Sequence, residues 1–257
     1  MDISEVVSVL SRWVHVVAGI LWIGLLYWFN FVNIPFVATM DGDTKKKVVP
    51  ELIPRALYWF RWGAAWTWIT GIVLLFLVFY HGGLMYGEES TTEWGIGNSL
   101  LMLVLLLLAP LAYDALARSP LAKDMKIWAA VGFVIVGGLA YMMVNLGGFG
   151  YRAYVVHIGA MFGTIMAFNV WFRIWPSQKK VLAAVKAGTA PDAAVVSLVG
   201  ARSRQNTYLS VPLVWAMINA HTTVPAADSP LYLMGVILIG WTGLMLIFKK
   251  AGKVKGF

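Results

Sequence analysis

The sequence predicts an all-α integral membrane protein, a bundle of seven transmembrane helices with the N-terminus outside and the C-terminus in the cytoplasm. Three observations carry this prediction. The 257 residues are 60% hydrophobic and only 12% charged, about half the charged share of an ordinary soluble domain. Apolar stretches long enough to cross a ~30 Å hydrocarbon layer recur along the chain. Finally, nearly all basic residues lie in those connecting loops that seven spans would place on the same side of the membrane.

Seven apolar segments follow one another with polar stretches between them. The sixth carries Pro212 and is only fifteen residues long, which is short for a spanning helix. We expect residues 1–257 to form a single transmembrane helical domain, with a cytoplasmic connector at about 177–205 that folds as two short amphipathic helices. The segments run from about Val7 to Asn30, Pro54 to Tyr80, Ile96 to Tyr113, Ile127 to Asn145, Tyr151 to Trp175, Thr207 to His221 and Leu231 to Phe248.

The distribution of basic residues predicts the orientation. Seventeen of the 20 Lys and Arg lie at or between the facing ends of segments one and two, three and four, and five and six, or after segment seven. Because Lys and Arg collect in cytoplasmic loops, these loops and the C-terminus are expected inside the cell. Arg152 is the only basic residue of the opposite loops, which carry the acidic residues Glu88, Glu89, Glu93 and Asp228.

Charge and cysteine content exclude several classes of function. The net charge of +8 is explained by the cytoplasmic loops, so no nucleic-acid partner is predicted. The sequence has no cysteine, which excludes disulfides, thiolate-held iron–sulfur clusters and a covalently attached c-type haem within these residues. The N-terminal stretch, MDISEVVSVLSRW, has acidic residues where a signal peptide has basic ones. We expect a retained first span.

Histidine His157 lies well inside the fifth segment, GYRAYVVHIGAMFGTIMAFNVWFRIWPSQKK. An imidazole in a bilayer segment is costly to bury, so it should face protein, a cofactor or a water cavity. A hydrogen bond to a neighbouring helix is an equal alternative to a ligand role. On another edge of the same helix, Gly159 and Gly163 form a small-xxx-small pattern that predicts close contact between helices.

All four histidines are predicted in the outer half of the bundle. His15, in segment one, lies at a depth similar to that of His157, whereas His81 and His221 close segments two and six at the outer face. Two imidazoles at matched depth on different helices are what axial ligation of a haem b requires. We therefore predict one or two haem b groups, with His15 and His157 as ligands to haem iron and His81 and His221 as further cofactor-binding candidates.

Three arginines lie within or beside the apolar segments. Arg12 and Arg152 are candidates for contact with a haem propionate or an anionic substrate, although Arg12 is equally suited to reach the lipid headgroups. Arg61, in YWFRWGAAWTWITG, is expected to reach the headgroups in the same way, to stack on aromatic rings or to pair with a carboxylate. Asp114 is the nearest acidic candidate.

Several stretches resemble the membrane domain of the bacterial membrane-bound urate oxidases (urate hydroxylases), which pass electrons to cytochrome c. They are RWVHVVAGILWIGLLYWFNFVN, FRWGAAWTWITG, YRAYVVHIGAMFGTIMAFNVWFRIWPSQKK and NTYLSVPLVWAMINAH, and they touch four of the seven segments. The resemblance implies oxidation of urate by the membrane domain. In this family a C-terminal cytochrome c domain accepts the electrons. The present 257 residues have no cysteine for such a domain, so a separate cytochrome c or other electron carrier is the expected partner.

The favoured function is therefore a membrane oxidoreductase of the urate-oxidising type in the bacterial inner membrane, with a haem b site near the outer face. The alternative is a non-catalytic haem b anchor or electron-transfer subunit of a larger respiratory complex, with other membrane subunits as partners. A transporter without a redox cofactor forms a third class. Its signature would be paired broken helices, and only Pro110 and Pro212 suggest breaks.

Overall fold

The computed structural model describes residues 2–86, 96–221 and 229–254, which are helical apart from short turns. Three π-helical segments, π1 (Trp28–Asn33), π2 (Leu75–His81) and π3 (Val170–Ile174), continue α1, α3 and α6. The predicted outer-loop acids Glu88, Glu89, Glu93 and Asp228 lie outside the described residues. The α-helices are α1 (Ile3–Tyr27), α2 (Ile34–Thr39), α3 (Gly42–Leu74), α4 (Ile96–Ala117), α5 (Met125–Asn145), α6 (Tyr151–Asn169), α7 (Trp175–Lys186), α8 (Ala193–Asn219) and α9 (Pro230–Ala251).

Within the described ranges, six helical segments are long and apolar enough to cross a membrane. The exterior is apolar as well: Ile20, Val134 and Ile239 are each at least 70% exposed. Such a surface suits hydrocarbon, since soluble proteins expose few large apolar patches. The all-α fold class is confirmed, and the chain has the composition of a multi-pass membrane protein. The six segments are Ile3–Thr39, Gly42–His81, Gly97–Ala117, Met125–Asn145, Tyr151–Lys186 and Pro230–Ala251.

The sixth predicted segment, Thr207–His221, belongs to the longer helix α8. Asp192 begins this helix, because its carboxylate accepts a hydrogen bond from the backbone N–H of Ala194 at 2.8 Å. The second of the two predicted connector helices is therefore the first half of α8. The first corresponds to α7, which ends before a turn at Gly188 with φ of 72°. The middle of α8 carries polar and charged residues. For this reason α8 is not among the six segments that are apolar enough to cross a membrane.

The second segment starts twelve residues before its predicted boundary at Pro54, at Gly42. Asp41 explains the early start: its carboxylate accepts hydrogen bonds from the backbone N–H groups of Asp43 and Thr44, both at 2.9 Å, and from the Thr44 hydroxyl at 2.6 Å. These bonds satisfy free donors of the first turn. The same hydrogen bonds from Thr44 lower the pKa of the Asp41 carboxyl.

Helix α6 is the most buried of the spanning segments. In the Tyr151–Lys186 segment, 67% of the most apolar 18-residue stretch is buried, compared with 11% to 33% in the other five.

A short turn precedes α6: α5 ends at Asn145, and Gly148 has φ of 64°. The turn is held by a hydrogen bond from the Gly150 N–H to the Met85 carbonyl at 3.0 Å. It places Phe149 beside the first turns of α6.

Two compact units divide the chain. The first contains the residues up to Ile72, Met166–Ser210 and those from Trp241 onward, and the second contains Val73–Ile165 and Val211–Gly240. In the first unit, Gly63 lets α3 approach α1, because a Cβ atom added there would lie 3.2 Å from the Trp22 backbone nitrogen. The core of each unit is formed by apolar side chains that are at most 2% exposed, among them Trp22, Leu26 and Phe60 in the first unit, and Leu106, Met143 and Ile158 in the second.

The predicted glycine edge of α6 is confirmed in the second unit. A Cβ atom added to Gly159 would lie 2.9 Å from Cβ of Ala216 and 2.8 Å from Cε of Met217, both on α8. At Gly163 the same atom would meet Leu213 at an ordinary 3.8 Å. The tight contact is thus made by Gly159, where α6 and α8 pack almost backbone to backbone.

We predict that Gly159→Ala destabilises the protein by about 1–3 kcal/mol, because the Ala216 methyl group has no flexible end that can move away. The measurement is the thermal unfolding midpoint of the purified protein in detergent. The matched control is Gly138→Ala, since no atom lies within 4 Å of an added Cβ there. That change should be neutral or stabilise the helix by up to about 1 kcal/mol. Equal midpoints for both variants would contradict the close contact.

Candidate functional site

His15, on α1, is oriented by Thr70 in the first unit. Its Nδ1 atom lies 3.2 Å from the Thr70 hydroxyl oxygen, and that hydroxyl donates its only hydrogen to the Trp66 carbonyl at 2.6 Å. The hydroxyl can therefore only accept from His15, so Nδ1 carries the proton and Nε2 keeps its lone pair. Gly71 lets the ring lie against α3, because an added Cβ would come within 2.9 Å of His15 Cε1.

His157 is fully buried, with both ring nitrogens hydrogen-bonded in the second unit. Nδ1 lies 2.7 Å from the Ala153 carbonyl, and Nε2 lies 3.2 Å from the Tyr80 hydroxyl. A carbonyl oxygen only accepts, so Nδ1 carries the proton and Nε2 is an acceptor. The single hydrogen of the Tyr80 hydroxyl is shared between Nε2 and the Ser99 carbonyl, each 3.2 Å away. Phe79, Tyr80 and Phe149 surround the imidazole with ring centroids 6.3, 5.8 and 4.8 Å away.

A chain of polar groups leads from His157 toward the exterior of the second unit. Besides His157, the Tyr80 hydroxyl also reaches the Ser99 carbonyl at 3.2 Å. The Ser99 hydroxyl lies 2.5 Å from the hydroxyl of Tyr86, whose side chain is partly exposed. The π-helical geometry of π2 positions Phe79 and Tyr80 for these contacts, and π-helical turns are frequent at functional sites. His157 is thus connected to a polar surface group through Tyr80 and Ser99.

A haem ligand must present an Nε2 lone pair to iron, with Nδ1–H held by another acceptor. His15 meets both conditions. His157 meets the second, but its Nε2 accepts the Tyr80 hydrogen bond inside an aromatic enclosure. The sequence left open whether His157 is a ligand or a histidine hydrogen-bonded to a neighbouring helix, and its geometry is that of the second. An iron ion could bind Nε2 only by replacing the Tyr80 hydroxyl.

The other predicted site residues lie nearer the exterior. The guanidinium of Arg152 donates through Nε to the Ala220 carbonyl at 2.7 Å, immediately after the last residue of α8. A cation there satisfies a terminal carbonyl and complements the helix dipole. Arg12 is exposed on α1, His81 is exposed at the end of π2, and His221 is exposed just beyond α8.

Arg61 takes the stacked role that the sequence left open. Its Cζ atom lies 4.1 Å from the ring centroid of Trp175 and 5.7 Å from that of Trp171. The Trp171 indole N–H donates to the Arg61 carbonyl at 3.1 Å. Asp114 forms its ion pair with Arg118, which follows the last residue of α4. Aromatic faces thus accommodate the Arg61 cation in the first unit.

Sequence reasoning missed a group of buried polar residues in the first unit, which we call the amide cluster: Asn30, Asn33, Asn169, Arg202, Ser203 and Asn206. The Asn30 side-chain nitrogen donates to the Ser203 hydroxyl at 2.9 Å, and that of Asn169 donates to Asn206 Oδ1 at 2.8 Å. All four asparagines and Arg202 are at most 8% exposed. The available signal was their polarity inside apolar segments, where polar residues mark functional sites or helix contacts.

Two acceptors of the amide cluster lack a donor. The Oδ1 atoms of Asn33 and Asn169 are buried, and no donor among the described residues reaches them. The orientation of Asn169 follows from its neighbours: Asn206 must direct its NH₂ group to the Met166 carbonyl, 3.0 Å away, so its Oδ1 faces Asn169. The remaining Asn169 oxygen is then an unpaired acceptor, which is unusual for a buried amide.

Among the described residues, no group of three or more His, Cys, Asp or Glu side chains is arranged to hold a metal ion. The imidazoles of His15 and His157 each have neutral hydrogen-bond partners.

Comparison with known proteins identifies one family. The family model described as "Urate oxidase N-terminal" matches residues 40–250, which is most of the chain. No curated protein and no solved structure matches the sequence. The matched range contains His157, Arg152 and the amide-cluster residues of α6 and α8, whereas His15 and Arg12 precede it.

Proposed function

Because the chain belongs to the urate oxidase N-terminal family, we propose that it is a membrane oxidoreductase of the urate-oxidising type. The family match over residues 40–250 is the observation that carries this proposal. The apolar exterior and the six apolar segments support a site of action in a membrane, which we propose to be the bacterial inner membrane. Family membership alone does not assign roles to residues, so each role is argued from its own surroundings.

We propose seven spans, with α8 as the one beyond the six apolar candidates. A spanning helix with polar residues is tolerated where those residues face protein, and Arg202, Asn206 and Ser210 of α8 are all buried. With seven spans, the loops that carry most of the basic residues share one side, the N-terminus lies outside and the C-terminus lies in the cytoplasm.

This topology predicts the behaviour of reporter fusions in bacterial cells. A reporter that works only in the cytoplasm should be active when fused after Phe257 and inactive when inserted at Gly83. A reporter that works only outside should show the opposite pattern. Cytoplasmic activity at both positions would rule out seven spans, because the crossings between Gly83 and the C-terminus would then be odd in number and would place the two positions on opposite sides.

A haem b group remains part of the proposal, with His15 as the side chain whose surroundings fit. Thr70 would hold the imidazole of His15 so that Nε2 is unprotonated. His157 would serve as a ligand only after exchanging its hydrogen bond with Tyr80. Bound haem would supply one-electron transfer. The packing around His157 does not fit a bound haem. We therefore propose no reaction step for the haem.

The haem proposal predicts a specific spectrum for the purified protein. The oxidised-minus-reduced spectrum should contain a Soret band and b-type α and β bands. Replacing His15 by Ala removes a strong-field ligand, so the low-spin signal should be lost or become high-spin. His221→Ala should leave it unchanged, because His221 is exposed beyond the helix end. A wild-type protein without a Soret band would end the haem proposal.

The electrons would pass to a cytochrome c-like carrier, because these residues contain no cysteine to attach a c-type haem. Arg12 and Arg152 are proposed as cationic groups that attract the urate anion at the surface. This role suits their positions, since Arg12 is exposed and Arg152 already uses Nε on the Ala220 carbonyl. Surface cations raise association rates more than they define a binding geometry.

Urate oxidation is tested with membranes that contain the chain. Addition of urate should reduce ferric cytochrome c, at two molecules of carrier for each urate, because a two-electron oxidation must pass to a one-electron carrier. Arg152→Ala should raise KM more than it lowers kcat if Arg152 only attracts the anion. Membranes without the chain are the control. Haem-loaded protein that fails to oxidise urate with any acceptor would favour the electron-transfer subunit instead.

A further inference from the structure

We propose that Tyr80 and His157 form a redox pair, in which the Tyr80 phenol gives one electron to an external one-electron oxidant while its proton moves to Nε2 of His157. Both residues belong to the second unit, where π2 carries Tyr80 and α6 carries His157. A redox-active tyrosine goes beyond the proposed urate oxidation, and its chemistry requires neither urate nor a haem.

The base of the pair is the Nε2 atom of His157. The Nδ1–H group of the same ring donates to the Ala153 carbonyl at 2.7 Å, so Nε2 holds the lone pair. The Tyr80 hydroxyl oxygen lies 3.2 Å from Nε2. Its other neighbour, the Ser99 carbonyl at 3.2 Å, accepts hydrogen bonds but is not a base. A proton released by Tyr80 therefore has His157 as its acceptor.

The proposed step is balanced between the pair and the oxidant. The phenol loses one electron, the O–H bond of Tyr80 breaks, and an N–H bond forms at Nε2. The products are a neutral tyrosyl radical, an imidazolium that donates to both the Ala153 carbonyl and the radical oxygen, and an oxidant reduced by one electron. Without a base, oxidation would leave a positively charged phenol in an apolar segment, where an unpaired charge is costly. Return of the electron restores the neutral pair.

The surroundings of His157 suit a transient imidazolium. The side chain is 0% exposed, so water does not compete for the transferred proton. The ring centroid of Phe149 lies 4.8 Å from that of His157, and the centroid of Tyr80 lies 5.8 Å away. An aromatic ring whose centroid is within about 6 Å of a cation attracts it electrostatically. The enclosure thus favours the charged product without supplying a second base.

The test oxidises the purified full chain with hexachloroiridate(IV), a one-electron oxidant, and freezes the reaction for EPR spectroscopy. A tyrosyl radical is expected. Incorporation of ring-deuterated tyrosine should narrow its signal, which separates it from radicals on the 13 tryptophans. Pulsed EPR of protein labelled with ¹⁵N-histidine should show coupling to an imidazole nitrogen, because Nε2–H contacts the radical oxygen. A wild-type protein without this coupled signal overturns the proposal.

Two variants assign the partners. Tyr80→Phe keeps the ring, removes the oxidisable hydroxyl and should abolish the coupled signal. His157→Gln offers an amide oxygen that accepts a hydrogen bond but no proton. It should slow formation of the Tyr80 radical at least about tenfold, since a positioned base contributes about 10²–10⁴-fold to a proton-transfer step. The matched control is Tyr86→Phe, which removes a hydroxyl bonded to the Ser99 hydroxyl and should leave signal and rate unchanged.

The remaining outcomes also decide the proposal. A coupled signal that survives in Tyr80→Phe belongs to another tyrosine and contradicts it. Equal rates in wild type and His157→Gln would make the contact a structural hydrogen bond only. Should His157→Gln fail to fold, the wild type decides: slower radical formation in D₂O supports the joint transfer, and equal rates in H₂O and D₂O contradict it. Because urate is absent from this assay, failure of urate oxidation leaves its result unaffected.

Discussion

Polar groups inside the helices of this protein find their partners within the protein, because hydrocarbon offers none. Three buried threonines show the simplest solution: Thr67, Thr70 and Thr164 each donate to the carbonyl four residues earlier, at 2.6 to 2.7 Å. His157 shows a more demanding one, with Nδ1 bonded to its own helix and Nε2 to Tyr80. Each satisfied group keeps its helix compatible with a lipid environment.

The same constraint makes the exceptions informative. Buried groups are paired at His15, His157 and Asn206, yet two asparagine oxygens of the amide cluster are not. Both oxygens belong to residues of the first unit.

Close approach of helices depends on a few glycines. Gly63 allows α3 to contact the backbone of Trp22, Gly71 accommodates the ring of His15, and Gly159 meets Ala216. Without the hydrophobic effect between helices in lipid, such short contacts supply much of the association energy through van der Waals packing. At Gly71 the close contact and the Thr70 hydrogen bond together orient the ring of His15.

The sequence by itself determined the helical class, the apolar spans and the glycine contact at Gly159, because each is set by local composition and by the periodicity of a helix. It also identified the stretches that indicate the urate oxidase family. The tertiary structure decided what local patterns do not contain: that Tyr80 occupies the Nε2 atom of His157, that Arg61 stacks on Trp175, and that Asn169 and Asn206 meet. Each of these contacts joins residues far apart in the chain. Which partner a buried polar group finds depends on helix packing, and no single helix specifies it.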